Sequence, residues 1–109
     1  MTKINLEEIG KRLRTQDVNE TLQLLKGGGY VFMSWGSHAF KNLSNKFLRF
    51  TVNGHHHKGH VYIAVNGSDL YDVYLTTNRG NIVKEMKDIY FDELVERMDT
   101  EIERIAEYK

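Results

Sequence analysis

Hydrophobic positions change period along the chain, and the changes divide it into three stretches. Near the start, Leu6, Ile9 and Leu13 recur at spacings of three and four, which gathers side chains on one side of a helix. Asn5 followed by Glu8 reads as a capping box in front of them. A second box, Asp17 with Glu20, opens another helix striped by Val18, Leu22 and Leu25. Gly27-Gly28-Gly29 closes it.

From Tyr30 onward the period falls to two. Tyr30-Val31-Phe32-Met33-Ser34-Trp35 is rich in β-formers between Gly29 and Gly36 and predicts a strand. Lys46 to Asn53 alternates, with Phe47, Arg49 and Thr51 on one side and Leu48, Phe50 and Val52 on the other. His60 to Val65 sets Val61, Ile63 and Val65 against Tyr62 and Ala64. Leu70 to Thr77 points Tyr71, Val73 and Leu75 inward, with Asp72, Tyr74 and Thr76 outward. Asn66-Gly67 predicts a type I′ turn, Asn78 to Asn81 another turn, and Ile82 to Met86 a short edge strand. At the end, Phe91, Leu94, Val95, Met98, Ile102 and Ile105 form one helical stripe, flanked by the i,i+4 pairs Glu93–Arg97 and Arg97–Glu101. The expected fold is α+β: an antiparallel β-meander of four to five strands, with two N-terminal helices and one long C-terminal helix packed on one face. Residues 1–109 form a single domain.

Composition adds mostly exclusions. A chain of 109 residues that is 40% hydrophobic can build a core, and without cysteine it has no disulfides, no thiolate zinc site and no thiol nucleophile. No apolar run approaches the roughly 20 residues that cross a bilayer. The opening residues turn acidic at Glu7-Glu8, too soon for a signal peptide, so a cytoplasmic protein with no membrane partner is expected.

Charge balances overall, at 15 basic and 15 acidic residues, but unevenly. Between His38 and His60 lie Lys41, Lys46, Arg49, Lys58 and all five histidines, without one Asp or Glu. Residues 85–109 carry nine acids against four bases. Such a separation orients a charged partner. A pI of 7.0 speaks against a dedicated nucleic-acid binder, which is usually strongly basic.

Candidate chemistry concentrates in the same central segment. Gly54-His55-His56-His57-Lys58-Gly59-His60 offers imidazoles suited to Zn²⁺, Ni²⁺ or Cu²⁺, yet no carboxylate or thiolate completes a set. Flanking glycines predict a mobile, solvated hairpin, so neither a metal site nor a cofactor is expected. No G-x-S-x-G elbow surrounds Ser34, Ser37, Ser44 or Ser68. A base and its orienter could be drawn only loosely, from His38 with Asp69 or Asp72, so no catalytic residue is assigned. The glycine triplet ends a helix and lacks the Lys-Ser/Thr of a phosphate loop. Tyr62 and Tyr74 fall on the less apolar phase of their strands, in phase with Arg49. Rings beside a cation on an open sheet grip single-stranded nucleic acid or anchor a protein; alternatively the helices lie over these rings and the other phase faces water.

Leu22-Gln23-Leu24-Leu25-Lys26-Gly27-Gly28, Asn45-Lys46-Phe47-Leu48-Arg49-Phe50, Ser68-Asp69-Leu70-Tyr71-Asp72-Val73-Tyr74 and Ile89-Tyr90-Phe91-Asp92-Glu93-Leu94 keep the order and spacing of a "QLGG…DLYDVxF…VYxDxL" pattern over residues 21–98. In this the chain resembles a group of small proteins of bacteriophages and related mobile elements, departing from it at the triple histidine. The resemblance implies a phage or mobile-element origin and expression in a bacterial host cell, and it assigns no activity.

These readings predict a non-enzymatic binding protein that engages a host protein through its sheet and the 53–60 hairpin, using Arg49, Lys58, Tyr62, Tyr74, Lys46 and His57. A nucleic-acid-binding accessory protein is the alternative, and a small ribonuclease using His38 or a loop histidine is a remote one. An uncovered edge strand, Ile82–Met86 or Tyr30–Trp35, allows a homodimer.

Overall fold

The computed structural model describes residues 3–11, 13–29, 32, 34–54 and 56–102. In chain order these form α1 (Leu6–Gly10), β1 (Leu13–Arg14), α2 (Val18–Lys26), β2 (His38–Leu43), β3 (Phe47–Asn53), β4 (Lys58–Asn66), β5 (Tyr71–Thr76), β6 (Ile82–Ile89) and α3 (Leu94–Ile102). The fold is α+β, and every strand pairing is antiparallel. Strands β2 to β6 are neighbours in sequence order, a meander, and β1 pairs with the far end of β4, Leu13 opposite Asn66 and Arg14 opposite Val65.

The two expected helix starts form through their caps. Asn5 accepts the amide of Glu8 at 3.1 Å, and Asp17 accepts those of Asn19 and Glu20 at 2.9 and 3.3 Å. One face of the sheet carries Leu48, Phe50, Val52, Val61, Ile63, Val73, Leu75, Met86 and Ile89. Against it pack Val18 and Leu25 of α2, Phe32 and Trp35, and Leu94, Met98 and Ile102 of α3.

The helix arrangement differs from the expectation at one point. Helix α1 lies on the opposite face, where Ile4, Leu6, Ile9 and Leu13 cover Phe47, Tyr62, Ala64 and Tyr74 in a second, smaller core. Both faces of the central strands are therefore buried where α1 lies, and Asp72, Tyr74 and Thr76 lie inside rather than outward.

Three local readings are also revised. Phe32 and Ser34 are helical, not strand; Tyr30, Val31 and Met33 lie outside the described residues. The i,i+3 pair Phe32 and Trp35 meets edge to face at 5.3 Å, a contact that a helical turn makes and a strand does not. The meander begins instead at β2, whose alternation is broken by left-handed Ala39, and with β1 the sheet has six strands rather than the four to five expected. At the β4–β5 connection the positive φ falls on Asp69, while the Asn66 side chain accepts the amides of Ser68 and Leu70, so no two-residue turn forms at Asn66-Gly67. Phe91 precedes α3 and is 67% exposed, off the apolar stripe; Ile105 lies outside the described residues.

The indole of Trp35, fully buried, donates to the buried Asp99 carboxylate at 2.9 Å and ties the segment after α2 to α3. Trp35→Phe keeps most of the ring and strips Asp99 of this donor. The expected loss is about 1–3 kcal/mol, read as a lower urea midpoint at unchanged slope. A midpoint equal to the parent's overturns the role given to this bond.

Candidate binding face

Register turns the alternation of each strand into rows across the sheet. Lys41, Arg49, Tyr62, Tyr74 and Glu85 stand opposite one another from β2 to β6, and His38, Thr51, His60 and Thr76 form the next row. Asn53 and Lys58 follow at the hairpin end. All belong to the face that carries α1. Arg49 is thus in phase with both tyrosines and adjacent to Tyr62.

The tyrosines do not present their rings. Tyr62 is 5% and Tyr74 2% exposed, because α1 and the chain before it lie over them; Phe47 meets Tyr62 edge to face at 6.2 Å. An aromatic ring removes 150–250 Å² from water when buried, so this corner is core and no platform for stacking bases. Lys46 is also spent on structure: its ammonium donates to the Gly10 carbonyl at the end of α1, at 2.6 Å.

Beyond the end of α1 the same face turns polar. Lys41 and Lys58 are exposed, and Arg49 and His60 are half-buried. The Arg49 side chain has no ion pair or hydrogen bond among the described residues, and its Nε is buried without a partner. Leaving a buried donor unsatisfied costs about 1–3 kcal/mol. The Thr51 hydroxyl lies 3.1 Å from His60 Nδ1. Burial first, and the Arg49 charge second, push the His60 pKa below its ordinary value, against a hydrogen bond to the Asn78 backbone. Glu85, at the other end of the row, sits beside Lys87 at 3.9 Å.

The histidine hairpin is anchored, contrary to the mobile loop expected. The amides of His56 and His57 both donate to the Ile102 carbonyl at the end of α3, at 2.7 and 3.2 Å, and Gly54 donates to His57. A Cβ on Gly54 would collide with the carbonyl oxygen and side chain of Ile102. One on Gly59, at φ +153°, would strike the Thr76 carbonyl. The glycines serve close approach rather than mobility. His57 is only 7% exposed, with Nε2 3.3 Å from the His60 carbonyl, and desolvation lowers its pKa more than backbone contacts to His60 and Thr76 raise it. His57 is a buried strut, and His56 is exposed; His55 lies outside the described residues. Among the described residues no three His, Asp or Glu side chains gather as a metal site.

Of the six residues expected to bind, Arg49 and Lys58 therefore reach the open half-face, while Tyr62, Tyr74 and His57 lie inside and Lys46 is engaged. Lys41, Thr51 and His60 join them, and strand parity would have found Lys41 had β2 been recognised. The loose pairing of His38 with an aspartate does not form. Asp72 is three strands away, accepting from Asn66 Nδ2 and the Asp88 amide, and Asp69 pairs with Arg14 at 3.2 Å. No helix among the described residues is long and apolar enough to cross a membrane. Comparison with protein-family models, curated proteins and solved structures finds no match for this chain.

The histidine environments fix a pH dependence. Both folded pKa values lie below the unfolded 6.5, so below that pH the unfolded chain binds more protons and stability falls. Stability is expected to be flat above about pH 7 and to drop as pH falls from 6.5 toward 5, with a shallower drop in His57→Gln. Urea midpoints across that range check it, and an H57Q curve parallel to the parent's overturns the part assigned to His57.

Proposed function

We propose that this chain is a small non-enzymatic binding protein of a phage or mobile element, engaging a host protein in the bacterial cytoplasm through the open half of the α1-bearing face and the 53–60 hairpin. The observation that carries the reading is Arg49, half-buried and unpaired, with Lys41 beside it and Lys58 at the same end of the face. A buried N–H without an acceptor is uncommon in a native fold, and the strand segment around Arg49 holds no Asp or Glu to serve it.

Rigidity supports the same reading. The hairpin is braced on α3, and the rows of the sheet fix the cations, so little ordering cost attends association. An interface of about 800 Å² per partner fits comfortably on a surface of 6583 Å². The nucleic-acid reading loses its stacking rings to the core, which is why a protein partner is preferred.

Replacing Lys41, Arg49 and Lys58 together by Gln should reduce partner retention in affinity capture from host cells by at least tenfold, at a thermal midpoint near the parent's. Equal retention of the same partner by both proteins discards this face. A retardation assay with single- and double-stranded DNA and RNA separates the alternative: a shift whose logarithmic affinity falls linearly with logarithmic salt favours nucleic acid over protein.

A further inference from the structure

We propose that Asn66-Gly67 is a latent modification site: it is closed while the β4–β5 connection is folded, and it converts to aspartate or isoaspartate when that connection opens. The converted connection then fails to reclose on its original bonds.

The chemistry needs only the chain and water. The Gly67 nitrogen loses its proton and attacks Cγ of Asn66. The Cγ–Nδ2 bond breaks, and Nδ2 departs with that proton as ammonia, leaving a cyclic imide. Water then opens the ring. Addition at Cγ gives aspartate; addition at the main-chain carbonyl gives isoaspartate, with the chain continuing through the side chain. No electrons change hands. Asparagine is a thermally labile residue, and a following glycine has no Cβ to hinder the attack.

The fold bars the first step by pinning the amide. Asn66 Nδ2 donates to Asp72 Oδ1 at 2.9 Å and to Asp88 Oδ1 at 2.8 Å, which uses both of its hydrogens. Asn66 Oδ1 accepts the amides of Ser68 and Leu70 at 2.9 and 3.2 Å. The backbone is held too: the Asn66 amide donates to the Leu70 carbonyl at 2.8 Å, and its carbonyl accepts the Asp69 amide at 3.1 Å. The nucleophile is unencumbered. Gly67 is exposed, and its N–H makes no hydrogen bond among the described residues. The Asn66 side chain must leave four partners before it can turn toward that nitrogen, so conversion waits on local opening. The chain's other Asn-Gly step, Asn53-Gly54, is held the opposite way. There the glycine N–H donates to the His57 carbonyl at 3.0 Å, and the Asn53 side chain makes no hydrogen bond among the described residues.

Conversion takes away the donor that two acids share. A carboxylate at residue 66 adds a third negative charge beside Asp72 and Asp88, and Asp72 is only 6% exposed. The cations nearby are already placed. Lys87 lines the same cavity at 3.9 Å from Glu85, Arg14 lies 3.2 Å from Asp69, and neither pairs with Asp72 or Asp88. Ile9, Leu13 and Tyr74 line that cavity as well, so a loosened connection reaches the core under α1.

The test incubates the full chain at mildly alkaline pH, in buffer and in urea above its unfolding midpoint. Peptide mass spectrometry reads residue 66 through the replacement of NH by O and separates the two products; conversion of Asn53 in urea reports that urea itself permits the reaction. Asn66 is expected to convert at least tenfold more slowly in buffer than in urea. Equal rates in the two, fast or slow, overturn the closed site. Gly67→Ala, where a Cβ meets open space, should slow conversion at 66 in urea at least fivefold and leave Asn53 unchanged. Parent-like conversion in G67A overturns attack by the Gly67 nitrogen. Asp88→Gly removes one of the two carboxylates at a position already at φ +57°, and should speed conversion in buffer at least threefold. A rate equal to the parent's overturns the pinning assigned to the carboxylates. Converted protein, isolated by its extra negative charge, should show a lower urea midpoint and faster exchange of the Leu70 amide. Values equal to the parent's overturn the failure to reclose.

Discussion

A five-residue helix cannot cover a seven-residue strand, and the polar half of this protein follows from that mismatch. Helix α1 rises about 8 Å, whereas β3 runs about 23 Å. Where α1 and the chain around it lie, the sheet answers with Phe47, Tyr62, Ala64 and Tyr74. Past its end the strand residues of the same parity become Thr51, Asn53, Lys58 and His60, and Arg49 stands at the boundary.

The opposite face provides the support. Helices α2 and α3, with Phe32 and Trp35, bury its apolar centre, and the Trp35–Asp99 bond joins two segments 64 residues apart. The end of α3 also holds the histidine hairpin through the Ile102 carbonyl, which one amide alone would satisfy and two share. The position of Lys58 is thereby set by the main core rather than by the hairpin's own turn. Proton uptake at His57 acts against this support, since a charged imidazole cannot remain in its desolvated place without cost.

Much of this was legible in the chain because local signals agreed with the fold. The caps at Asn5 and Asp17, the stripe Leu94, Met98 and Ile102 and the alternation of β3 to β5 each rest on nearest-neighbour geometry. The failures have a common origin in tertiary context. Phe32 and Trp35 carry high strand propensity, yet their spacing of three suits the helical turn that brings both into the main core. β2 was hidden by the left-handed residues Ala39, Ser44 and Asn45, which interrupt its period at both ends. The tyrosines were in phase with Arg49 as expected, but no pattern in the strands themselves tells whether a helix from elsewhere will cover a given row. Leu6 and Ile9 did carry that information, as an apolar helix face needing something to bury it; what remained open was which side of the sheet it would choose.

That choice decides the chemistry of the face. With the rings exposed, the row Lys41–Arg49–Tyr62–Tyr74 would have suited stacked bases, for which aromatic area and phosphate contacts act together. With the rings covered, the row offers cations and hydroxyls only, over a short span, and its far end is acidic at Glu85. A phosphate backbone running along the row would meet repulsion within three strands of Arg49. The β2–β3 edge instead sets Lys41 beside Arg49, while Glu7 of α1 lines the neighbouring groove with Asn42 and Lys46. The same covering that packs the N-terminal helix therefore leaves cations and hydroxyls, rather than rings, as what this half of the face presents.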